Sequence, residues 1–524
     1  MRSLRDYLAF FVRGSALSRH AFRAKKKNLQ QAISLNELAV DHLNTGHIGE
    51  AKKILHQALE HDPELAPAIC NLGIILASEG SLAAAVDRFN QALFLDPKLA
   101  NARLNLGLAL KELEQYDEAT KHLSSLLESN PDLVGTYNAL AGIARERGDP
   151  YHARTLVTHG LSLAPNDPDL HCLNGLILYD MGSYEPAADA YRKALSLDSN
   201  HAEAELGLAF IDLLAGGFKD GWVKYEARRR AIQSTERGFR FPEWDGSPLA
   251  NKTILIYGEQ GLGDEIMFAS CYGQVIAQAS NCVIDCEPRL AALFARSFPS
   301  AHVYGTPRNV RPDWLEAEPT IHCQIPAGSL PSCFRNQLAD FPFHTGYLKA
   351  AQDKVAKWKA RLNDLGPGLK IGISWRGGLG KTRRTIRTMP PSAWLPILRT
   401  PHAHFVSLQY DEMRGECSQL ADLAAVPIQY WPQAIADYDE TAALVGALDL
   451  VITVCTAVAH LSGALGRPTW VLVPSAPEWR YLKADERMPW YPAAQLFRQS
   501  VRDDWAGVSQ RVAEKLAQRI DNDV

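Results

Sequence analysis

Four sets of residues recur in register through the first part of the chain, each at an interval of 34 residues. Ala51, Ala85, Ala119, Ala153 and Ala187 form one set, and Pro63, Pro97, Pro131 and Pro165 another. A third is always small: Ala39, Gly73, Gly107, Ala141, Gly175, Ala209. A fourth is apolar and mostly large: Leu55, Phe89, Leu123, Val157, Tyr191, Tyr225. Gly46 and Gly80 share a further register with Gly148, Gly182 and Gly216. Coincident ladders at this period require a stack of helix–turn–helix units, because no unit can bury its apolar face alone. Small positions let paired helices approach, large ones fill the space between them, and proline ends the second helix. The units run 32–65, 66–99, 100–133, 134–167, 168–201 and a degenerate 202–235, where Ser199 stands in place of the preceding proline.

This pattern resembles tetratricopeptide repeats, which stack into a superhelix with a concave face. The resemblance implies a groove for a peptide or protein partner. Asn71 and Asn105 hold the same position in adjacent repeats, where side-chain amides can bind an extended peptide backbone. After Gly216-Gly217-Phe218 the chain enters Tyr225-Glu226-Ala227-Arg228-Arg229-Arg230, read either as an anion contact or as a charge run at an interface. Residues 236–250, with Phe241-Pro242-Glu243-Trp244, read as a linker.

Over 524 residues the chain carries 46% hydrophobic and 22% charged residues and a formal net charge of -4. It has no general basic footprint, so nucleic acid is not an expected partner. Nine scattered cysteines without a repeating frame read as reduced thiols of a cytoplasmic protein. Cys282 and Cys286 lack a second Cys/His pair at matching spacing, and no metal is expected. No apolar run approaches the roughly 18 residues that span a bilayer. Residues 1–31 form a separate basic segment. Arg2, Arg5, Arg13, Arg19, Arg23 and Lys25 to Lys27 stand against Asp6 alone within 1–28. It reads either as a weak membrane or partner contact, or as a capping helix or frayed tail.

A second kind of pattern begins at residue 251. Ile254-Leu255-Ile256-Tyr257 is a buried strand, Gly258, Gly261 and Gly263 break it, and a helix follows from Ile266. Such a strand–turn–helix opens a doubly wound α/β domain and faces the ligand edge of its sheet. Asp264 and Glu265 at the helix start repel phosphate, so this turn presents a carboxylate. Gly261 and Gly263 let an acceptor come close to it. Short apolar strands alternate with helical stretches to the end, giving Rossmann-like units at 251–348 and 349–524, the latter closing with a C-terminal helix. Two such units leave a cleft between them.

In the second unit, strand 450–454 runs into Cys455-Thr456-Ala457-Val458-Ala459-His460. This helix N-terminus carries no carboxylate and suits a phosphate at Thr456 and Ala457. His460 either donates to that phosphate or packs the helix. The loop Arg376-Gly377-Gly378-Leu379-Gly380-Lys381-Thr382-Arg383-Arg384-Thr385-Ile386-Arg387 follows a buried strand and reads as an anion clamp, with Arg376 and Lys381 favoured. Gln409, at the next strand's end, is placed for a base or ribose. Glu440 either accepts from ribose hydroxyls or caps its helix.

Gly261-Leu262-Gly263-Asp264, the 371–376 segment and Thr453-Val454-Cys455-Thr456-Ala457-Val458-Ala459-His460 together resemble the heptosyltransferase-like GT-B glycosyltransferases. Fused behind repeats, the layout is similar to bacterial repeat–glycosyltransferase proteins, some of which modify flagellins, and to the O-GlcNAc transferases. The resemblance implies an α superhelix of repeats followed by an α/β GT-B fold. It also implies metal-independent, inverting transfer from a nucleotide-sugar co-substrate, with no resident cofactor and Asp264 as the base. Where that family's second loop carries an Asp near ribose or sugar, this chain has Cys455. The expected acceptor is a protein Ser or Thr hydroxyl held by the repeats, a flagellin by analogy. Two other readings stand beside it: transfer to a lipid-linked or surface saccharide with the repeats serving assembly as an oligomer, and a non-catalytic scaffold or chaperone for a secretion or flagellar substrate.

Overall fold

The computed structural model describes residues 25–231, 237–308, 310–316, 318, 320–378, 380–410 and 414–523. Of the basic segment 1–31, residues 1–24 lie outside them and 25–31 are helical. The described residues divide into two compact units, one within 25–145 and 151–165, the other within 146–150 and 166–523. Among the described residues no helix is long and apolar enough to cross a membrane.

The first unit is all helix: α1 (25–44), α2 (Ile48–His61), α3 (Ala66–Ser78), α4 (Leu82–Leu95), α5 (Ala100–Glu112), α6 (Tyr116–Ser129), α7 (Val134–Glu146) and α8 (Pro150–Leu163). The small and large ladders meet inside each pair. A Cβ on Gly73 would lie 2.6 Å from Phe89 Cε1, and one on Gly107 2.5 Å from Leu123 Cγ. Neither position admits a larger side chain without displacing the side chain that faces it. Gly46 and Gly80 end their helices with φ of +77° and +80°, the left-handed conformation glycine adopts most cheaply. In the third repeat Glu114 takes the same conformation at φ 58°. Asn71 Nδ2 donates to Asn36 Oδ1 at 2.9 Å, whereas Asn105 Nδ2 turns back to the Asn101 carbonyl at 2.8 Å. The two asparagines that share a register therefore do different things, and Asn105 is occupied by its own helix.

In the second unit, α9 (Pro168–Asp180) and α10 (Tyr184–Leu197) form repeat five, and α11 (Ala202–Leu214) and α12 (Phe218–Tyr225) form repeat six. A short helix, α13 (Arg228–Ala231), follows. These repeats share one apolar core with the α/β part. Trp222 meets Trp479 edge-to-face at 5.4 Å and donates its indole N–H to the Arg335 carbonyl at 2.7 Å. The Tyr179 hydroxyl donates to the Pro477 carbonyl at 3.1 Å.

The first sheet holds β1 (Thr253–Tyr257), β2 (Asn281–Cys286), β3 (His302–Gly305) and β4 (Cys323–Pro326) in the order β3-β2-β1-β4, all parallel. Around it lie α14 (Leu262–Phe268), α15 (Tyr272–Ile276), α16 (Ala291–Ser297) and α17 (Leu330–Phe334), and α18 (Gln352–Asn363) leads onward. The second sheet holds β5 (Leu369–Ser374), β6 (Ala403–Ser407), β7 (Ile428–Gln429), β8 (Leu450–Val454), β9 (Thr469–Val473), β10 (Arg487–Met488) and β11 (Tyr491–Arg498). Its order is β10-β11-β9-β8-β5-β6-β7, and only β10 runs antiparallel to its neighbour. Its helices are α19 (Arg384–Arg387), α20 (Leu395–Leu398), α21 (Arg414–Ala424), α22 (Pro432–Ala436), α23 (Tyr438–Ala447), α24 (Ala457–Ala464) and the C-terminal α25 (Trp505–Asp523).

Strand order reverses beside β1 in the first sheet and between β5 and β8 in the second. Open parallel sheets bind ligands at such reversals, outside the carboxyl ends of the strands. The turn 258–261 leaves β1 there, and the loops 375–387 and 455–456 leave β5 and β8.

Candidate active site

Gly261 caps α14, and its N–H donates to Asp264 Oδ2 at 3.2 Å. The other oxygen, Oδ1, accepts from Arg480 Nη1 at 2.6 Å. Glu265 points the opposite way. It is 1% exposed, accepts from the Glu287 N–H at 2.9 Å and meets Arg308 Nη2 at 3.4 Å. Burial pushes its carboxyl up to about 7. Glu265 thus lies behind the turn rather than on an acceptor-facing loop, because Gly258 leaves the space its carboxylate fills: a Cβ there would sit 2.2 Å from Glu265 Cδ.

On the other side, Thr456 caps α24 by accepting from the Val458 N–H at 3.2 Å. His460 is buried and pairs through Nδ1 with the Tyr491 hydroxyl at 2.9 Å. Burial and then the nearby Arg480 hold its imidazole down to about 3, so it is neutral at ordinary pH. A Cβ on Gly263 would lie 3.0 Å from His460 Cδ2 and 3.3 Å from Ala457 Cα. The carboxylate-bearing turn and the α24 N-terminus are therefore in close contact. Both line one cavity of about 550 Å³.

Arg387 Nη1 donates to the Cys455 carbonyl at 3.1 Å and pairs with Glu478 Oε1 at 3.0 Å. Arg480 Nε lies 3.1 Å from Glu478 Oε2. Although burial opposes it, Arg387, Arg480 and Arg383 together hold the Glu478 carboxyl below the usual carboxylate range. The segment bearing Glu478 and Arg480 is fastened to repeat five. Arg383 Nη2 donates to the Ala476 carbonyl at 2.7 Å, and its Nε pairs with Asp180 at 2.9 Å. Arg289, from the loop after β2, also lines the cavity.

Several residues singled out in the sequence lie elsewhere. Arg376 Nε donates to Glu416 Oε2 at 3.0 Å and lines a separate open pocket with Arg384. The Lys381 side chain lies outside the described residues. Gln409 is fully buried: its Oε1 accepts from the Trp375 and Arg376 N–H groups, each at 3.2 Å, and its Nε2 donates to the Arg376 carbonyl at 2.9 Å. It holds the loop's backbone and offers nothing to a ribose. Glu440 accepts from Trp358 Nε1 at 2.8 Å and pairs with Lys354 at 3.0 Å, joining α23 to α18 away from the cavity. Cys455 keeps its place at the cavity. Its thiol turns to the Leu472 carbonyl at 3.7 Å, and burial pushes it up to about 12.

Sequence reading passed over Arg289, Glu478 and Arg480 and did not favour Arg387. The available signal was position: Glu478-Trp479-Arg480 follows β9, the strand beside β8, at the same sheet edge. Among the described residues no three His, Cys, Asp or Glu side chains converge as metal ligands. What the cavity assembles is a capped helix N-terminus, three guanidinium groups, a neutral imidazole, the Glu478 carboxylate and a second carboxylate, Asp264, from the facing domain.

A tetratricopeptide (TPR) repeat model matches residues 73–113, and a second matches 100–133 and 168–201. Protein FlbA of Caulobacter vibrioides is 29% identical over 515 residues, covering 95% of this chain and 86% of that protein. The solved structure of Pseudomonas aeruginosa pilF is 22% identical, covers 40% of this chain and 94% of that one, and superposes with a TM-score of 0.34. A thermophilic TPR protein from Thermus thermophilus is 23% identical, covers 32% of this chain and 91% of that one, and gives 0.30. The matched repeat models place tetratricopeptide repeats in the N-terminal part of the chain, and such repeats generally mediate contacts between proteins. The similarity to FlbA spans the repeats and the α/β domains alike.

Proposed function

We propose that the chain is a metal-independent, inverting glycosyltransferase that moves a sugar from a nucleotide-sugar to a Ser or Thr hydroxyl of a protein engaged by the repeats. A flagellin is the acceptor suggested by the resemblance to repeat–glycosyltransferase proteins. The observation that carries this reading is the convergence on one cavity of the α24 N-terminus, Arg387 and Arg480 with Asp264 from the facing domain. The helix end and the guanidinium groups suit the donor's diphosphate and stabilise charge gathering on it as the anomeric C–O bond breaks. The acceptor oxygen bonds to the anomeric carbon from the opposite face. Asp264 takes its proton, and the nucleoside diphosphate leaves. His460, neutral, serves as a hydrogen-bonding partner rather than a cation.

A thermal-shift screen of nucleoside diphosphates and their sugars tests the reading. The fitting nucleotide raises the melting temperature by an amount that grows with its concentration. Transfer to acceptor protein then follows by mass, and Asp264→Asn abolishes it. If UDP, GDP and CDP all leave the melt unmoved at millimolar concentration, the reading fails.

One observation favours a second reading. The pairing of Asp264 with Arg480 occupies the base, as befits a domain that only binds a partner. In that case nucleotide-sugar turnover is absent while a protein partner is retained.

A further inference from the structure

Asp264, Arg480, Glu478 and Arg387 stand in a row of alternating charge that ends beside the N-terminus of α24. Two carboxylates and two guanidinium groups cancel, so the row as it stands has no surplus charge for an anion. A diphosphate settling on α24 adds negative charge at one end. Arg289, the cavity's third guanidinium, is held by Glu287 at 2.8 Å, so a guanidinium of the row that turns to the phosphates does so by loosening its hold on a carboxylate. Glu478 is held from both sides, by Arg387 at 3.0 Å and Arg480 at 3.1 Å. Among the described residues Asp264 has a single cationic partner, Arg480 at 2.6 Å, besides the Gly261 N–H. Asp264 is therefore the carboxylate that can be released. Arg480 has a second carboxylate beside it, with Nε 3.1 Å from Glu478 Oε2, and its guanidinium lies 5.1 Å over the Trp479 ring, so the planar group can swing as a whole away from Asp264 without leaving a counter-charge behind.

We infer that Arg480 is a donor-operated latch: it holds Asp264 until the phosphates of a nucleotide-sugar draw it away, and only then can Asp264 accept the hydroxyl proton. The inference rests on the proposed diphosphate site. It assigns Arg480 two successive partners in one reaction and orders that reaction, with donor binding before deprotonation. It also reconciles the paired carboxylate with a catalytic role. While Arg480 Nη1 sits on Asp264 Oδ1 it occupies the oxygen an acceptor hydroxyl would approach, and moving that guanidinium onto phosphate clears the oxygen while strengthening the leaving group's stabilisation.

The test is a double-mutant cycle on the full chain, with inorganic pyrophosphate as the probe and isothermal titration calorimetry as the readout. D264N frees Arg480 in advance, so it tightens pyrophosphate binding by about threefold or more. In the R480M background the same change has little effect, because the competing pair no longer exists. Thermal melts of each variant check folding, and R480K, which keeps the charge and loses the fork, replaces R480M if the latter does not melt cooperatively. An equal effect of D264N in both backgrounds reflects simple removal of a negative charge and overturns the latch while leaving the diphosphate site standing. Absence of pyrophosphate binding in every form at millimolar concentration overturns the diphosphate site and the latch together.

Discussion

Arg228 Nε and Nη2 both donate to Glu259 Oε1, at 3.0 and 2.7 Å, and both side chains are buried. Arg228 belongs to the end of the repeats and Glu259 to the turn that leaves β1, so a charge pair ties repeat six to the turn that carries Asp264. The Gly328 N–H donates to the same carboxylate oxygen at 3.0 Å. Removing one partner strands the other in the interior, which typically costs about 3–5 kcal/mol. R228M is expected to lower the urea midpoint accordingly, and R228M/E259Q to lose less than the two single changes added together. Tryptophan fluorescence is the suitable signal, because all 11 tryptophans lie beyond residue 165. A midpoint unchanged by R228M contradicts the pair's role.

The shared core makes a prediction about where the chain can be cut. Trp222, Phe218 and Tyr225 pack against Trp479, Phe341 and Phe268. A chain reduced to residues 166–524 keeps these contacts and is expected to melt cooperatively. One beginning at residue 251 exposes that aromatic surface and is expected to aggregate or melt without cooperativity. Cooperative, soluble behaviour of the shorter chain argues against repeats five and six being part of its core.

What could be read in advance was whatever repeats or alternates. The ladder pairs Gly73 with Phe89 and Gly107 with Leu123 across helix interfaces, because stacking imposes the same close approach in every unit. The turns after β1, β5 and β8 were legible because buried strands and glycines announce them. Direction was not legible. Gln409 and Glu440 sit near the sheet edge and the helix start, but a polar side chain there can face a ligand or a neighbouring backbone equally well. Gln409 went to the Trp375 and Arg376 N–H groups, Glu440 to Trp358. The choice among the loop cations was set by partners far along the chain, Glu416 for Arg376 and Glu478 for Arg387. The unit boundary inside the repeat array was equally hidden, since repeats five and six keep the ladder while burying an extra face.

Glu265 makes stability depend on pH in a defined window. Its carboxyl is raised by burial from the ordinary 4.5 to about 7. The folded protein therefore holds this proton where the unfolded chain has lost it. The stabilisation from this group is full below pH 4.5 and declines as pH rises through 7, by on the order of a few kcal/mol. His460 acts in the opposite sense. Its folded value is lowered to about 3, so its contribution favours folding as pH rises towards 6.5. The wild-type profile alone mixes the two. The difference between wild type and E265Q, measured as urea midpoints at pH 5 and pH 8, isolates Glu265. E265Q is expected to gain relative to wild type at pH 8, and a constant difference across that range contradicts the buried proton.

The last prediction separates two arginines of one loop. Arg387 faces the cavity, touching the Cys455 carbonyl, Thr382 Oγ1 and Glu478. Arg376 faces away, to Glu416, and its backbone is held by Gln409. A guanidinium that meets a phosphate makes charge-assisted hydrogen bonds worth roughly twice a neutral one, and methionine keeps its bulk while removing them. R387M is expected to weaken binding of the nucleoside diphosphate found in the thermal-shift screen by about tenfold or more. R376M is expected to change it by less than about twofold, since its charge is screened and already paired at the surface. Calorimetric titration of both variants decides the matter. If R376M proves the weaker binder, the anion site lies in the open pocket beside Arg384 rather than at the α24 N-terminus, and Asp264 faces no donor.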